Sequence, residues 1–380
     1  MSDNQLDQIS ILKKTPPHLP RLTILAEISL IILAVIAILG AAMFARPILF
    51  PMTLAVLMAL ATKPVARKLC ENLKFHPIVA SVLIVLFIMG IGIGGMFALS
   101  GPAGKWISEA PQKFQEVERK IRPVKESVEE ITEATGHIEK MTEAARDPSK
   151  VKVEVARPTL TSTVLSMTAE VGLEFLIAIS CLFLLLAFGD DFMDRIADLK
   201  GNKTKNALIE MVKSAEEMIS LYLFRFTLIN CVLGLVIGLG MWALGMPNPA
   251  LWGVMAACLN FVPYLGLIAG SSIVFFVAIV EFDSLLKATI APAIYIIANA
   301  IEANAVTPSL LGKALSVHVI VLFFGILLLG WLWGIGGVLI AVPLIATFRV
   351  MCSHFEPLKP VAQFLGGGSK EPSVGFDKKS

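Results

Sequence analysis

The sequence is short of charged residues for its length. Aspartate, glutamate, lysine and arginine make up 16% of the 380 residues and apolar residues 56%, against about 25% and 45–50% in ordinary soluble domains. The formal net charge of +2 is also too small to favour a nucleic-acid partner. A deficit of charge with this apolar excess is typical of a protein that crosses a lipid bilayer several times.

Cysteines and catalytic motifs are scarce as well. The five cysteines stand singly, and four of them lie in or beside apolar stretches, without the spacing of a metal site or a disulfide framework. The sequence has no H-E-x-x-H, G-x-S-x-G or P-loop motif. We therefore expect that the protein is not an enzyme, with no catalytic residue, metal, cofactor or ATP-binding domain in this chain. Transport would then be passive or driven by an ion gradient.

Long apolar stretches are what the sequence has instead. The stretch from Thr23 to Phe44 is long enough to cross about 30 Å of hydrocarbon, which predicts a retained first transmembrane helix rather than a cleaved signal. A shorter helix from Ile48 to Thr62 would return to a basic loop from Lys63 to Lys74, and a third from Pro77 to Leu99 would lead out again. The basic residues place the N-terminus and this loop in the cytoplasm.

A sizeable polar segment, residues 100–165, separates the third span from the fourth. Apolar or small residues recur there at alternating steps of four and three, which is typical of an amphipathic helix with one apolar stripe. Pro111 and Pro123 each suit a first helical turn, so we expect a short helix, a break or kink near Pro123, and a longer helix. The stripe would pack on the membrane surface, on the rest of the protomer, or on a second copy in a homo-oligomer.

The C-terminal third contains apolar stretches interrupted by glycine and proline. The run from Val317 to Phe348 is about ten residues too long for one span, and glycines between Gly330 and Gly337 divide it into two short helices or a hairpin.

The predicted boundaries are a cytoplasmic N-terminal segment at 1–22, three transmembrane helices in 23–99, the extracytoplasmic helical segment at 100–165, a fourth transmembrane helix at 166–189, cytoplasmic linker helices at 190–219, a transport core with broken helices and a hairpin at 220–348, and a disordered cytoplasmic tail at 349–380.

The stretch from Leu221 to Gly266 is the centre of this organisation. It is almost uncharged, yet turn-forming residues interrupt it twice, at Gly245–Pro249 and at Asn260–Tyr264. Broken backbone at membrane depth is tolerated mainly where it is buried in protein or lines a wet cavity, and many transporters build binding sites from it. Helix breaks are predicted at Gly245, Pro247, Pro249, Pro263 and Pro308.

Polar side chains in or beside these stretches are the candidate binding groups. Intramembrane charge is costly and usually faces the protein interior or water. We predict ion coupling at Glu302 with Asn299, which share one helical face. The alternatives for Glu302 are a pair with Arg225 or a plain interfacial helix end, and for Arg225 a headgroup contact. Groups suited to a small polyhydroxylated ligand are predicted at Arg225, Asn230, Asn248, Trp252, Asn260 and Tyr264.

Five motifs occur in order along the chain. They are F-R-x-x-x-I-N at Phe224–Asn230, L-G-M-P-N-P-x-L-W-G at Leu244–Gly253, N-F-V-P-Y-L-G at Asn260–Gly266, T-P-x-L-L-G-K at Thr307–Lys313 and W-L-W-G-I-G-G-V-L-I-A-V-P at Trp331–Pro343. Together they resemble the autoinducer-2 exporter family of bacterial membrane transporters, the PerM-like permeases.

The resemblance implies an all-α polytopic protein of the bacterial cytoplasmic (inner) membrane with cytoplasmic termini. It implies about eight membrane segments, including short, broken or re-entrant helices, an amphipathic helical extramembrane segment between the third and fourth, and assembly as a homo-oligomer. The implied function is export of a small polar metabolite such as the quorum-sensing signal autoinducer-2. A sodium (or lithium)/proton antiporter and a membrane-anchored envelope scaffold stay open as alternatives.

Overall fold

The computed structural model describes residues 20–133, 160–198, 203–282, 284–311 and 317–366. Within them the chain is α-helical, with one isolated antiparallel bridge. The α-helices are α1 Pro20–Phe44, α2 Arg46–Leu73, α3 Pro77–Glu133, α4 Leu160–Asp198, α5 Lys203–Leu244, α6 Pro249–Leu259, α7 Leu265–Glu281, α8 Leu285–Ile301, α9 Thr307–Leu311, α10 Val319–His354 and α11 Lys359–Leu365.

These helices confirm the predicted all-α polytopic membrane fold. Seven helical segments of the described residues are long and apolar enough to cross a membrane, and α6 and α7 are shorter apolar helices. The first helix, α1, belongs to an N-terminal unit of residues 1–47, and residues 48–380 form a second unit. Side chains of α1 such as Leu30 and Ile38 are apolar and exposed, as expected for a helix that contacts lipid.

The second helix is longer than predicted. It runs without interruption from Arg46 to Leu73, with Pro51 and Pro64 inside it, so the predicted end at Thr62 and the basic loop that follows are wrong. A proline removes one intrahelical hydrogen bond, and the bonds on either side can hold the helix together. Lys63 and Arg67 consequently lie on helical turns of α2.

The third helix also continues beyond its predicted end. It extends from Pro77 to Glu133, so the expected division into two helices near Pro123 is wrong, because the helical pattern on both sides of the proline outweighs one missing hydrogen bond. The alternative, a kink at Pro123, stays a prediction. The side chains of the apolar stripe lie outside those that the structure describes. Assembly into a homo-oligomer therefore stays a prediction.

The polar residues between the fourth and fifth spans form the ends of two long helices. Helix α4 passes through Gly189 to Asp198, and α5 begins at Lys203. The separate linker helices predicted for residues 190–219 are therefore extensions of membrane helices. Charged residues end the hydrophobic span but not the helix, because the helix keeps its backbone hydrogen bonds where it continues into water.

Helices α5 and α6 pack closely against each other on either side of the first predicted break. Gly245 and Asn248 both have positive φ angles, of 80° and 53°, and Pro249 is the first residue of α6, where its missing N–H needs no partner. Gly234 on α5 faces Gly253 on α6 so closely that a Cβ on Gly253 would lie 2.6 Å from the carbonyl oxygen of Gly234. Small residues thus allow the two backbones to touch.

The second break separates α6 from α7. The chain leaves helical geometry between Asn260 and Tyr264, and Tyr264 has a φ of 63°. Helix α6 has 11 residues, so it rises about 16 Å, roughly half the thickness of the hydrocarbon core. Helix α7 then returns and packs on α8, with the Tyr295 ring against Gly270. Helix α6 is therefore too short to cross the hydrocarbon core, and α6 and α7 form a pair of short helices that turns back at the bend.

Helix α10 is folded into a hairpin, one of the two arrangements predicted for this run. Gly334, with φ 67° and ψ −147°, divides it into a first arm and a second arm. The arms fold onto each other, because a Cβ on Gly330 would lie 2.8 Å from the Val338 side chain. An antiparallel bridge between Val317 and Gly366 ties the two ends together.

The predicted disordered tail is wrong for its first part. The second arm of α10 includes residues from 349 to His354, and α11 packs on that arm. The guanidinium of Arg349 donates a hydrogen bond to the carbonyl oxygen of Ala362, 3.5 Å away. The remaining residues, 367–380, lie outside the described part of the chain.

The α5–α6 contact predicts an effect on stability. We expect Gly253→Ala to destabilise the protein by about 1–3 kcal/mol, because the added methyl group would separate two touching backbones. Gly94→Ala on α3 is the matched control, since a Cβ on Gly94 meets no atom within 4 Å. Thermal unfolding of the purified protein in detergent compares the two. Equal melting temperatures would show that the close approach contributes nothing to stability.

Candidate functional site

Two predicted asparagines meet at the bend between α6 and α7. The Asn260 amide donates a hydrogen bond to the side-chain oxygen of Asn230 over 2.7 Å, and Asn230 is only 1% exposed. The amide nitrogen of Asn230 has no hydrogen-bond partner among the described residues. A buried donor without a partner costs about 1–3 kcal/mol. This amide pair therefore holds one hydrogen-bonding position open in the interior of the protein.

A cavity of about 220 Å³ is lined by residues close to the amide pair in the chain, such as Thr227 and Phe261, although neither asparagine is among its lining residues. Its walls come from α2, α5, the end of α6 and the second arm of α10, and they are mostly apolar. Thr227, Cys258, Phe261 and Pro343 are among its lining residues, and we call it the hairpin cavity. Thr227 precedes Asn230 by three positions on α5. Asn230 therefore lies about one helical turn beyond the part of α5 that lines the cavity.

The other predicted ligand-binding residues around the breaks have structural partners or face outward. Trp252 is buried, and its indole N–H donates to the carbonyl oxygen of Pro247 over 2.7 Å. The Trp252 ring also packs edge-on against Trp106, with centroids 5.7 Å apart. Asn248 and Tyr264 are exposed at positive φ. Trp252 thus stabilises the first turn, and none of these residues is among those that line the hairpin cavity.

The side chains of Arg225 and Glu302 each form a hydrogen bond with a different partner. The guanidinium of Arg225 donates to the carbonyl oxygen of Leu310 over 2.9 Å, where it satisfies an end of α9. The carboxylate of Glu302 accepts a hydrogen bond from the hydroxyl of Thr307. Asn299 is buried and donates to the carbonyl oxygen of Tyr295 over 2.8 Å. The Arg225–Glu302 ion pair considered from the sequence is not among the ion pairs of the described residues.

The helix break predicted at Pro308 is absent. After α8 the chain widens into a π-helix over Glu302–Val306 and continues as α9. A wider turn keeps the proline ring away from the carbonyl four residues earlier, and such π-turns are frequent at functional sites. Glu302 therefore lies at the start of an irregular turn within an otherwise continuous helical segment.

A cluster of charged side chains was not predicted as a site. The Lys63 ammonium donates to Asp190 over 2.7 Å and to Glu216, and Arg67 pairs with Glu217 over 3.3 Å. From the sequence, Lys63 and Arg67 belong to the basic loop that set the predicted topology, and the acids belong to the predicted cytoplasmic linker helices. The available signal was complementarity: two basic residues one turn apart and two adjacent acids on another helix.

A second and larger cavity, of about 550 Å³, adjoins this cluster. Its lining includes five charged residues, Lys63, Arg67, Glu71, Asp190 and Glu216, together with apolar residues of α2 and α4 and residues of the second arm of α10. We call it the charged cavity. Among the described residues no group of three or more histidine, cysteine, aspartate or glutamate side chains is arranged to hold a metal ion.

The family model for AI-2E family transporters matches residues 31–356. The chain belongs to this family. It is 22% identical over 330 residues to the AI-2 transport protein TqsA of Escherichia coli (strain K12), covering 86% of this chain and 92% of TqsA. Identity to YueF of Bacillus subtilis (strain 168) is 21% over 316 residues, or 80% of this chain and 84% of YueF. Identity to YhhT of E. coli (strain K12) is 27% over 150 residues, or 40% and 43%.

Membership of the AI-2E family confirms the resemblance that the five ordered motifs indicated. The relatives carry transport-protein names, in agreement with a transporter rather than an enzyme. The matched residues include both hairpins and the residues named above for both cavities. The candidate sites therefore belong to the part of the chain that the AI-2E family model matches.

The amide pair can be tested by a double-mutant cycle with Asn230→Ala, Asn260→Ala and the double variant. We expect a coupling of about 0.5–1.5 kcal/mol, because each single change leaves the other amide without its partner. Thermal unfolding in detergent measures the three changes. Asn304→Ala is the control, since this exposed amide donates to the carbonyl oxygen of Ala300 and should change stability by less than about 0.5 kcal/mol. Strictly additive effects would mean that the two amides do not interact.

Proposed function

We propose that this AI-2E family protein exports a small neutral, hydroxylated metabolite such as autoinducer-2 across the bacterial cytoplasmic membrane, with both termini in the cytoplasm. The observation that carries the proposal is the hairpin cavity. It lies where the bend of α6–α7 meets the second arm of α10, and its lining residue Thr227 is one helical turn from Asn230, whose buried amide has an unpartnered donor. Broken helices around a polar group at mid-depth are how many transporters bind their solutes.

The two hairpins enter from opposite ends of the described spans. The base of α6–α7 follows the end of α5 at Leu244, whereas Thr347 and Met351 of α10 line the charged cavity beside Glu216, near the other end of α5. Glu216 and Leu244 are about 42 Å apart along this helix. Hairpins that meet at one cavity from opposite ends support a pathway through the protein.

Depth along α5 supports the placement of the solute. Asn230 lies 14 residues before the end of α5 at Leu244, or about 21 Å along the helix axis, within a core of about 30 Å. A hydroxylated solute loses its water at this depth and needs hydrogen-bonding groups in return. The amide pair and the Thr227 hydroxyl are such groups.

Glu302 supports an ion gradient as the energy source. A half-buried carboxylate on a π-turn, with a hydroxyl donor from Thr307, is suited to take up and release a proton or a cation. Coupling of export to an ion gradient is therefore part of the proposal. The same observation favours the sodium/proton antiporter as the second candidate, which would use Glu302 without an organic solute.

Reconstituted liposomes test the proposal. We expect autoinducer-2 flux that follows an imposed pH gradient, falls at least about tenfold in Asn260→Ala with the loss of amide contacts, and loses its pH dependence in Glu302→Gln. Asn304→Ala, whose amide is exposed on the same π-turn, should transport at the rate of the unaltered protein.

Insertion of each variant is checked by flotation of the proteoliposomes. Full transport rates in both Asn260→Ala and Glu302→Gln would refute the assigned site. Sodium-dependent proton movement without autoinducer-2 flux would replace export by antiport.

A further inference from the structure

The charged cavity has the size and the wall of a ligand site. Its volume of about 550 Å³ falls within the 300–1,000 Å³ typical of small-molecule sites, which are mostly apolar with a few convergent polar groups. Leu186, Phe192 and Ile219 contribute apolar surface. The polar groups include Lys63 of α2, Asp190 of α4, Glu216 of α5 and Thr347 of α10. Four helices thus converge on one cavity with polar groups in its wall.

Two of these groups have unused hydrogen-bonding capacity. An ammonium has three N–H donors, and Lys63, whose side chain is only 15% exposed, directs donors to Asp190 and Glu216 alone among the described residues. The Thr347 hydroxyl is buried and has no hydrogen-bond partner in the described part of the protein. Each of the two carboxylates has further lone pairs. The cavity wall therefore offers donors and acceptors together.

The charges at the cluster select against ions. Two cations, Lys63 and Arg67, and three carboxylates, Glu71, Asp190 and Glu216, line the cavity, which leaves an excess of one negative charge that disfavours an anion. A monovalent cation would compete with the Lys63 ammonium, which already occupies the position between the two carboxylates. Hydroxyl groups both donate and accept hydrogen bonds, so they can use the free lone pairs of Asp190 and Glu216, the remaining N–H of Lys63 and the Thr347 hydroxyl.

We propose that the charged cavity is a second solute site, which binds a neutral polyhydroxylated molecule before it reaches the hairpin cavity. The proposal rests on the proposed export function, because the bound molecule is the transported class of solute. Lys63, Asp190, Glu216 and Thr347 provide its polar contacts.

Native cysteines provide separate reporters for the two cavities. Cys70 lines the charged cavity, and Cys258 lines the hairpin cavity. Full-length protein that keeps only Cys70 or only Cys258, with the other four cysteines replaced by alanine, is labelled with a maleimide in detergent. Autoinducer-2 and ribitol serve as neutral probes, and ribonate as an anionic probe of similar size. We expect the neutral probes to slow labelling of Cys70 saturably by at least about threefold, and ribonate to leave it unchanged.

Thr347 variants test the assigned contact. Thr347→Val keeps the shape of the side chain and removes the hydroxyl, so the concentration that half-protects Cys70 should rise about fivefold, as expected for one lost hydrogen bond. Thr347→Ser restores the hydroxyl and should restore protection. Ser353→Ala on the same arm is the control, because this hydroxyl donates to the carbonyl oxygen of Val350. Size-exclusion elution confirms that each variant is folded.

The outcomes separate this proposal from the export proposal. Protection of Cys258 and autoinducer-2 flux without protection of Cys70 would overturn the second site and leave export intact. Protection of Cys70 by neutral probes without flux would support the site and count against export. A Cys70 that does not react, or whose labelling no probe changes, would overturn the second site, because the cavity is then closed or filled by lipid. Protection by ribonate alone would also overturn it.

Discussion

Every backbone N–H and C=O in hydrocarbon needs a partner within the protein, and the interruptions of this chain are arranged around that requirement. At the first turn the Met246 N–H donates to Met241 over 2.9 Å, and the indole of Trp252 covers the carbonyl of Pro247. At the second bend the Gly266 N–H donates to the carbonyl oxygen of Val262 over 2.9 Å. Local hydrogen bonds thus satisfy backbone groups at both breaks, and the side chains of Asn230 and Asn260 are not needed for this purpose.

The same requirement explains where the small residues lie. A bend at mid-depth must be enclosed by neighbouring helices, and Gly234 with Gly253 lets α6 approach α5 to backbone contact. Gly270 performs the same role for α7 by accommodating the Tyr295 ring. Close packing along the straight parts contrasts with the bend itself, where the helix stops at Leu259 and the hairpin cavity opens beside Phe261.

Local patterns predicted the breaks and the hairpin, because glycine, proline and asparagine act on the backbone within a few residues. They also predicted Asn230 and Asn260 as candidates, although not their direct hydrogen bond. The Lys63 cluster could not be located, since its partners lie 127 and 153 positions away and a charged stretch after an apolar run equally fits a solvated loop. Pro308 was misjudged because the neighbouring turn adapts, which residue preferences do not encode.

Charge decreases from the end of the helices towards their middle. At one end two cations and three carboxylates line the charged cavity, whereas the polar groups in and near the hairpin cavity are a hydroxyl and uncharged amides. This order follows the cost of desolvation, which is far larger for an ion than for an amide. An ion held at the charged cluster would lose that stabilisation on moving inward, and the amides would not replace it. A neutral hydroxylated solute exchanges one set of hydrogen bonds for another of similar strength, so both cavities suit the same class of molecule.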